Sequence, residues 1–334
     1  MTKTDSSLGL ADRVDLMRPA GPGPGRGSVT RAARTRRMWY EIVGLTTPAV
    51  VVYVIFVLVP IGFALYYSLY RWRGIGPPTE FVGLRNYKLA FTDPIFIDAL
   101  KNNLMVVVGS LLVQGPIALA VALLLNRRFR GRAVFRLLAF VPYVLAEVTV
   151  GVAWKLLLIR DGTVDTVLRG LGLGGQIQAW LADQSVVMWT LLFILTWKYV
   201  GFAIILFLAG LSNVPEELSE AAAIDGASWW QVQRHVTIPL LGPTIRIWIF
   251  LSMIGSLQVF DVIWVVSVPS MRSLGASNTM ATYMVDNGFF SRLWGYGNSI
   301  AVILFVISFV VALLFQRLFL RRDIEGALTT GKVH

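Results

Sequence analysis

The sequence predicts an all-α integral membrane protein with six transmembrane helices and one helix–turn–helix loop outside the bilayer. Three observations carry that expectation. Of 334 residues, 56% are hydrophobic and only 15% charged, well short of a soluble domain's charge, and the mean hydropathy is +0.66. Six apolar runs are each long enough to cross a bilayer, which takes roughly 20 residues. Arginines gather at particular edges of those runs, as cytoplasmic loops require.

In chain order, residues 1–38 are polar, with a Pro/Gly run from Pro19 to Gly27. They read as a disordered basic cytoplasmic tail. No apolar core with a cleavage site marks them as a secretory signal. A six-span domain covers 39–322, with spans near 42–70, 104–125, 133–159, 185–211, 243–268 and 298–320, and 323–334 form a C-terminal cytoplasmic tail. Pro48 and Pro60 fall in the first span, Pro116 in the second and Pro142 in the third. Neighbouring helices can satisfy the carbonyls that such prolines free.

Orientation follows from charge. Arg31, Arg34, Arg36 and Arg37 precede span one, Arg127, Arg128, Arg130 and Arg132 crowd the link between spans two and three, and Arg317, Arg321 and Arg322 follow span six. These place both termini, the link between spans two and three and the loop at 212–241 on the cytoplasmic side. The loops near 71–103, 160–184 and 269–297 face out. The net charge of +11 is thus a topology signal, not a nucleic-acid footprint. With no Cys and only His235 and His334, disulfides, thiolate metal sites and histidine-built metal sites are not expected.

The loop at 212–241 separates two apolar runs. Asn213 is expected to cap its first helix in a box with Glu216, with Pro215 in the first turn. Gly226 suits a left-handed helix end. Ser228 and Gln231 offer a second capping box, opening a helix to about His235, and Pro239 and Pro243 mark re-entry into span five.

Here the chain resembles a family. Glu220-Ala221-Ala222, Gly226 and the ending Val236-Thr237-Ile238-Pro239 resemble the EAA loop of the membrane subunits of binding-protein-dependent ABC importers. That loop ends in Ile-x-Leu-Pro, so two positions depart, each apolar for apolar. Phe81-Val82-Gly83-Leu84-Arg85-Asn86-Tyr87 resembles an outer element of carbohydrate-importer permeases. Phe260-Asp261-Val262-Ile263 resembles a span-five element of the maltose-permease F-type subunit, although Ser267-Val268-Pro269-Ser270 replaces the Thr-Gly-Gly-Gly-Pro that often follows.

The resemblance implies a permease subunit of a sugar importer. It implies as partners a second, maltose-permease G-like subunit, two copies of an ATPase subunit and an extracytoplasmic sugar-binding protein. The EAA stretch, through Glu220, Ala221, Ala222, Asp225 and Gly226, would couple the ATPase to the spans by a rigid lever of about 12 residues, near 18 Å long. No catalytic residue or cofactor is expected in this chain. ATP and Mg²⁺ belong to the partners, because no G-x-x-x-x-G-K-[ST] occurs and Gly331-Lys332 is followed by Val333. Gly170-Leu171-Gly172-Leu173-Gly174-Gly175 fits G-x-G-x-x-G formally, but in an outer loop it reads as a flexible turn.

Polar side chains inside spans are costly and worth attention: Glu147, Lys155, Lys198, Gln258 and Asp261. Lys155 and Lys198 read either as snorkelling or structural pairs with Glu147 or Asp261, or as lining of a transport path. Ser252, Ser256 and Val259 share one face of span five, and Gln258 and Asp261 another. In the maltose transporter the first row belongs to the sugar-facing side. Tight packing by small residues is the competing reading for Ser252 and Ser256. Tyr199 offers a stacking surface from span four. Trp72, Trp154, Trp189, Trp197 and Trp294 fit an interfacial belt. The alternatives are an importer of another solute, such as glycerol phosphate or an amino acid, a membrane-embedded enzyme, for which no clustered catalytic groups are seen, and a secondary transporter. The latter leaves the EAA loop unexplained and lacks clear internal repeats.

Overall fold

A computed structural model describes residues 31–127 and 130–320. Among them the chain is helical, with one isolated β-bridge, Tyr70 to Phe81. Five helices are long and apolar enough to cross a membrane: Met38–Ser68, Pro94–Asn126, Val187–Leu211, Gly242–Val266 and Trp294–Phe319. The sixth span is a bent pair, Arg132–Val144 and Glu147–Leu157, turned by 95° at its break. The chain divides into two units at Pro60 and Ile61.

In the first unit, helix Arg31–Tyr53 begins inside the stretch expected to be a disordered tail, so only residues 1–30 of that tail lie outside the described residues. The C-terminal tail at 323–334 lies wholly outside them. Leu45 and Phe56 are exposed, as lipid-facing side chains are.

In the second unit, span two starts at Pro94, ten residues ahead of the expected 104. Asp93 accepts from the Ile95 amide and Pro94 takes the first helical position. Residues 85–92, expected as loop, form a helix. The Phe-x-Gly-Leu-x-Asn-Tyr stretch ties the end of span one to it. The Asn86 amide donates to the Ser68 and Tyr70 carbonyls at 2.7 and 3.1 Å, and the Tyr87 and Ser68 hydroxyls lie 2.6 Å apart.

Small residues set how closely the spans approach. A Cβ on Gly201 would fall 2.0 Å from the Ala139 carbonyl oxygen, one on Gly115 2.2 Å from the Trp248 ring, and one on Gly151 2.7 Å from Val265. Spans three and four therefore touch backbone to backbone, span two meets span five backbone to ring, and span three meets span five backbone to side chain. Ala118, Ala122, Ala203, Phe207 and Trp248 fill one core, and Val106, Leu191, Ile194 and Ile263 another.

Three prolines share a local device. Pro60, Pro116 and Pro239 each follow a widened π turn, at Val54–Leu58, Ser110–Gln114 and Gln233–Thr237. The residue ahead of each proline bonds five positions back, as Gly115 does to the Ser110 carbonyl. A proline in a regular helix clashes with the carbonyl four back, and the wider turn relieves that clash.

Candidate functional site

Two spans are broken, and each break is closed by a side chain from elsewhere in the chain. Span three stops at Val144 and resumes at Glu147. Lys198 of span four is 1% exposed, and its ammonium donates to the Leu145 carbonyl at 2.8 Å and the Tyr143 carbonyl at 3.5 Å. A cation at a helix C-terminus satisfies both the orphan carbonyls and the helix dipole. On the resuming half, Glu147 sits in the first turn and accepts a hydrogen bond from the Tyr199 hydroxyl at 2.7 Å. Neighbouring residues of span four thus hold both edges of the break. Lys198 does not snorkel; it caps a helix, with the Glu147 carboxylate in electrostatic reach.

Span five breaks after Leu257 and resumes at Asp261. Asn103, fully buried, donates to the Ser256 and Leu257 carbonyls, each at 3.0 Å, and accepts from the Met280 amide at 2.7 Å. The Thr279 hydroxyl donates to the Val259 carbonyl at 3.1 Å. Inside a bilayer such carbonyls have no water to bond, so non-helical backbone persists only where protein supplies donors. Hydropathy alone starts span two at 104, one residue past Asn103, so this polar group does not stand out in the sequence as intramembrane.

The two breaks open on one cavity of about 330 Å³, within the range of small-molecule sites. Tyr199, Ser252, Ser256, Gln258 and Asp261 all line it, as do Glu147, Ser110 and Gln114. Ser252 and Ser110 hydrogen-bond through their hydroxyls, and Ser110 donates to the Gln114 side chain at 3.2 Å. Ser252 therefore both packs span five on span two and faces the cavity. Ser256 is 9% exposed, while Gln258 and Asp261 are exposed. The Tyr143 and Phe202 rings stack at 5.0 Å along the same wall. Lys155 does not line it: its ammonium lies 3.4 Å from the Val265 carbonyl.

The loop between spans four and five has a different character. Its first helix is Glu216–Ile224, nine residues and so about 13.5 Å, shorter than the 12 residues expected. Asn213 does not cap it. The Asn213 side chain donates instead to the Ala209 carbonyl at 3.3 Å, and Pro215 stands at the cap position with no side-chain bond. At the other end Gly226 adopts φ +84°. Its amide bonds the Ala223 carbonyl and that of Ala227 the Ala222 carbonyl, each at 3.0 Å, the pair of bonds that defines a Schellman end. Ser228 and Gln231 form the expected capping box. The second helix then continues past His235 through Pro239 to Leu240, helped by the π turn at Gln233–Thr237.

Glu220, Ala221, Asp225 and Gly226 are exposed and Ala222 is half-buried; no residue of the first loop helix is buried. Ile224 is 86% exposed. Arg127, from the link between spans two and three, stacks its guanidinium 4.2 Å above the Trp229 ring, which puts that link and this loop at the same end of the bundle. None of the five loop residues lies near the cavity, so the predicted site residues separate into two groups.

Residues 114–323 match the family described as binding-protein-dependent transport system inner membrane component. The diacetylchitobiose uptake system permease protein NgcF of Streptomyces coelicolor is 32% identical, over 79% of this chain and 77% of that protein. The lactose transport system permease protein LacF of Rhizobium radiobacter is 30% identical, over 88% of this chain and 99% of that one. A bacterial ABC transporter that imports the acidic polysaccharide alginate shares the fold, with a TM-score of 0.75 at 21% identity, covering 87% and 99% of the two chains.

Proposed function

The chain belongs to the inner membrane components of binding-protein-dependent ABC transport systems, and on that footing we propose that it forms half of the sugar pathway of a carbohydrate importer. The cavity carries this reading: two broken spans, five polar residues picked from sequence, and a stacked aromatic pair converge on it. Sugars need hydroxyl and carboxylate partners around their rims and an apolar face beneath. Uptake-system relatives for diacetylchitobiose and lactose agree with that chemistry.

In the proposed cycle a binding protein delivers sugar from outside. A second permease of the same kind completes the pathway, and two ATPase subunits hold ATP and Mg²⁺. The exposed first loop helix, with Glu220, Ala221 and Ala222 along it and Gly226 closing it, docks on an ATPase subunit and passes its motion to the spans. Both termini and this loop face the cytoplasm. The chain has no cysteine, so single cysteines at Arg130 and Gly172 report side directly and are expected to label from opposite faces.

The test is ATP-dependent uptake of labelled oligosaccharides by the four-subunit complex in proteoliposomes with its binding protein. Ser256→Trp is expected to abolish uptake while the subunits still co-purify. Normal uptake by that variant would remove the cavity from the pathway.

A further inference from the structure

We propose that Glu147 and Asp261 set the charge class of the cargo: the cavity accepts uncharged saccharides and excludes those bearing carboxylates. This rests on the cavity being the sugar pathway. The fold leaves the matter open, since one structural relative imports an acidic polysaccharide.

The two carboxylates occupy equivalent places. Each lies in the first turn of the half-helix that resumes after a break, Glu147–Leu157 and Asp261–Val266. Those halves pack closely, Gly151 against Val265, and both carboxylates line the same cavity wall region with Tyr199. The N-terminal end of a helix carries partial positive charge and is a natural place for an anionic group. On span three that end already holds Glu147, fixed by the Tyr199 hydroxyl at 2.7 Å.

Among the described residues lining the cavity, none is a cation. Of the described residues that line it, Glu147 and Asp261 are the charged ones. Lys198 lies within electrostatic reach of Glu147 but is 1% exposed and committed to the Tyr143 and Leu145 carbonyls. Lys155 reaches the Val265 carbonyl, outside the cavity. Arg272 is engaged by Asp286 at 3.1 Å and by the Ser267 carbonyl at 3.1 Å, with its guanidinium over the Trp264 ring. A sugar hydroxyl can donate to either carboxylate, since each offers about four acceptor positions. A uronate would bring a third negative charge into a confined space whose described lining holds no arginine or lysine.

The test uses the assembled complex in nanodiscs without binding protein, so that only the membrane subunits discriminate. Trp248 lines the cavity, and quenching of tryptophan fluorescence reads occupancy. The probes are maltose, cellobiose and diacetylchitobiose as neutral disaccharides, and digalacturonate as the acidic one. The expected affinity ratio favours the best neutral sugar by about 100-fold, and Glu147→Gln with Asp261→Asn shrinks it below about 10-fold. Equal binding of digalacturonate to the parent overturns the proposal and needs no variant. An unchanged ratio in a double variant that co-purifies with its partners also overturns it. No quenching by any sugar removes the carbohydrate reading of the cavity as well, a result distinct from binding without charge discrimination.

Discussion

The broken spans and the loop between spans four and five both interrupt regular helix, and they solve opposite problems. At the breaks, freed carbonyls are closed by distant side chains, Lys198 and Asn103, which are buried. In the loop, the turn and the second helix start are closed by local bonds: Ala227 to Ala222, Ser228 to Gln231. The breaks are therefore held by the tertiary structure and yield only when the bundle rearranges. The loop holds its own shape and leaves its side chains, Ile224 and Glu220 among them, facing outward. A part that must keep its form while neighbours move benefits from local closure; a part that must change with the bundle benefits from distant closure.

Two glycines sharpen the contrast. Gly201 is required by space, because a Cβ would strike the Ala139 carbonyl at 2.0 Å, whereas Gly226 is required by its φ of +84°, with nothing within 4 Å of a Cβ. Gly201→Val is expected to have the largest effect of all. Overpacking costs about 1–3 kcal/mol and more when backbone must shift, so the subunit should fail to accumulate as a monodisperse species in size-exclusion profiles. If it melts and assembles like the parent, spans three and four are not in backbone contact.

Lys198→Met comes next. It leaves the Leu145 and Tyr143 carbonyls without a donor, at about 1–3 kcal/mol. A lowered melting temperature together with lost uptake is expected. Lost uptake at unchanged melting temperature would mean that the lysine serves the cargo, not the break. The smallest effect on the fold belongs to the loop: Gly226→Val forces a left-handed residue at about 1–2 kcal/mol, confined to the turn. Glu220→Lys, at an exposed position, should shift subunit stability by no more than about 0.5 kcal/mol. Both are expected to leave span insertion intact while uncoupling ATP hydrolysis from uptake, measured on the purified complex. Parent-level coupling in both would take this loop out of the transmission path.

What was readable in the sequence follows the same division. The Ser228–Gln231 box and the Gly226 turn could be read because their partners are a few residues apart. The Asn213 cap failed because Pro215 allowed the chain to enter the helix with no side-chain bond, freeing Asn213 to reach back to Ala209. The 95° bend of span three was hidden inside a single apolar run, because its closing donor lies 53 residues from Leu145. Asn103 is 153 residues from Ser256. Hydropathy registers that a segment is apolar, but not that a remote lysine makes a gap in it tolerable. Tyr199, Ser252, Ser256, Gln258 and Asp261 are legible in the sequence because charge, amide and hydroxyl groups stand out against leucine. Glu147 stood out too, but its alliance with Tyr199 depends on the bend.

The widened turns before Pro60, Pro116 and Pro239 also make these helices elastic in length. A π turn accommodates one surplus residue, and a helix advances about 100° per residue. In span two the surplus is absorbed between Ser110 and Gln114, so Ala118 and Ala122 still meet Ala203 and Phe207. Removing exposed Leu112 would return the turn to ordinary α geometry with the same face inward, but would set Pro116 back against the carbonyl four before it. Deletion and Pro116→Ala are thus a matched pair. Alignments of related permeases should therefore place single-residue gaps at this turn in chains that lack the proline.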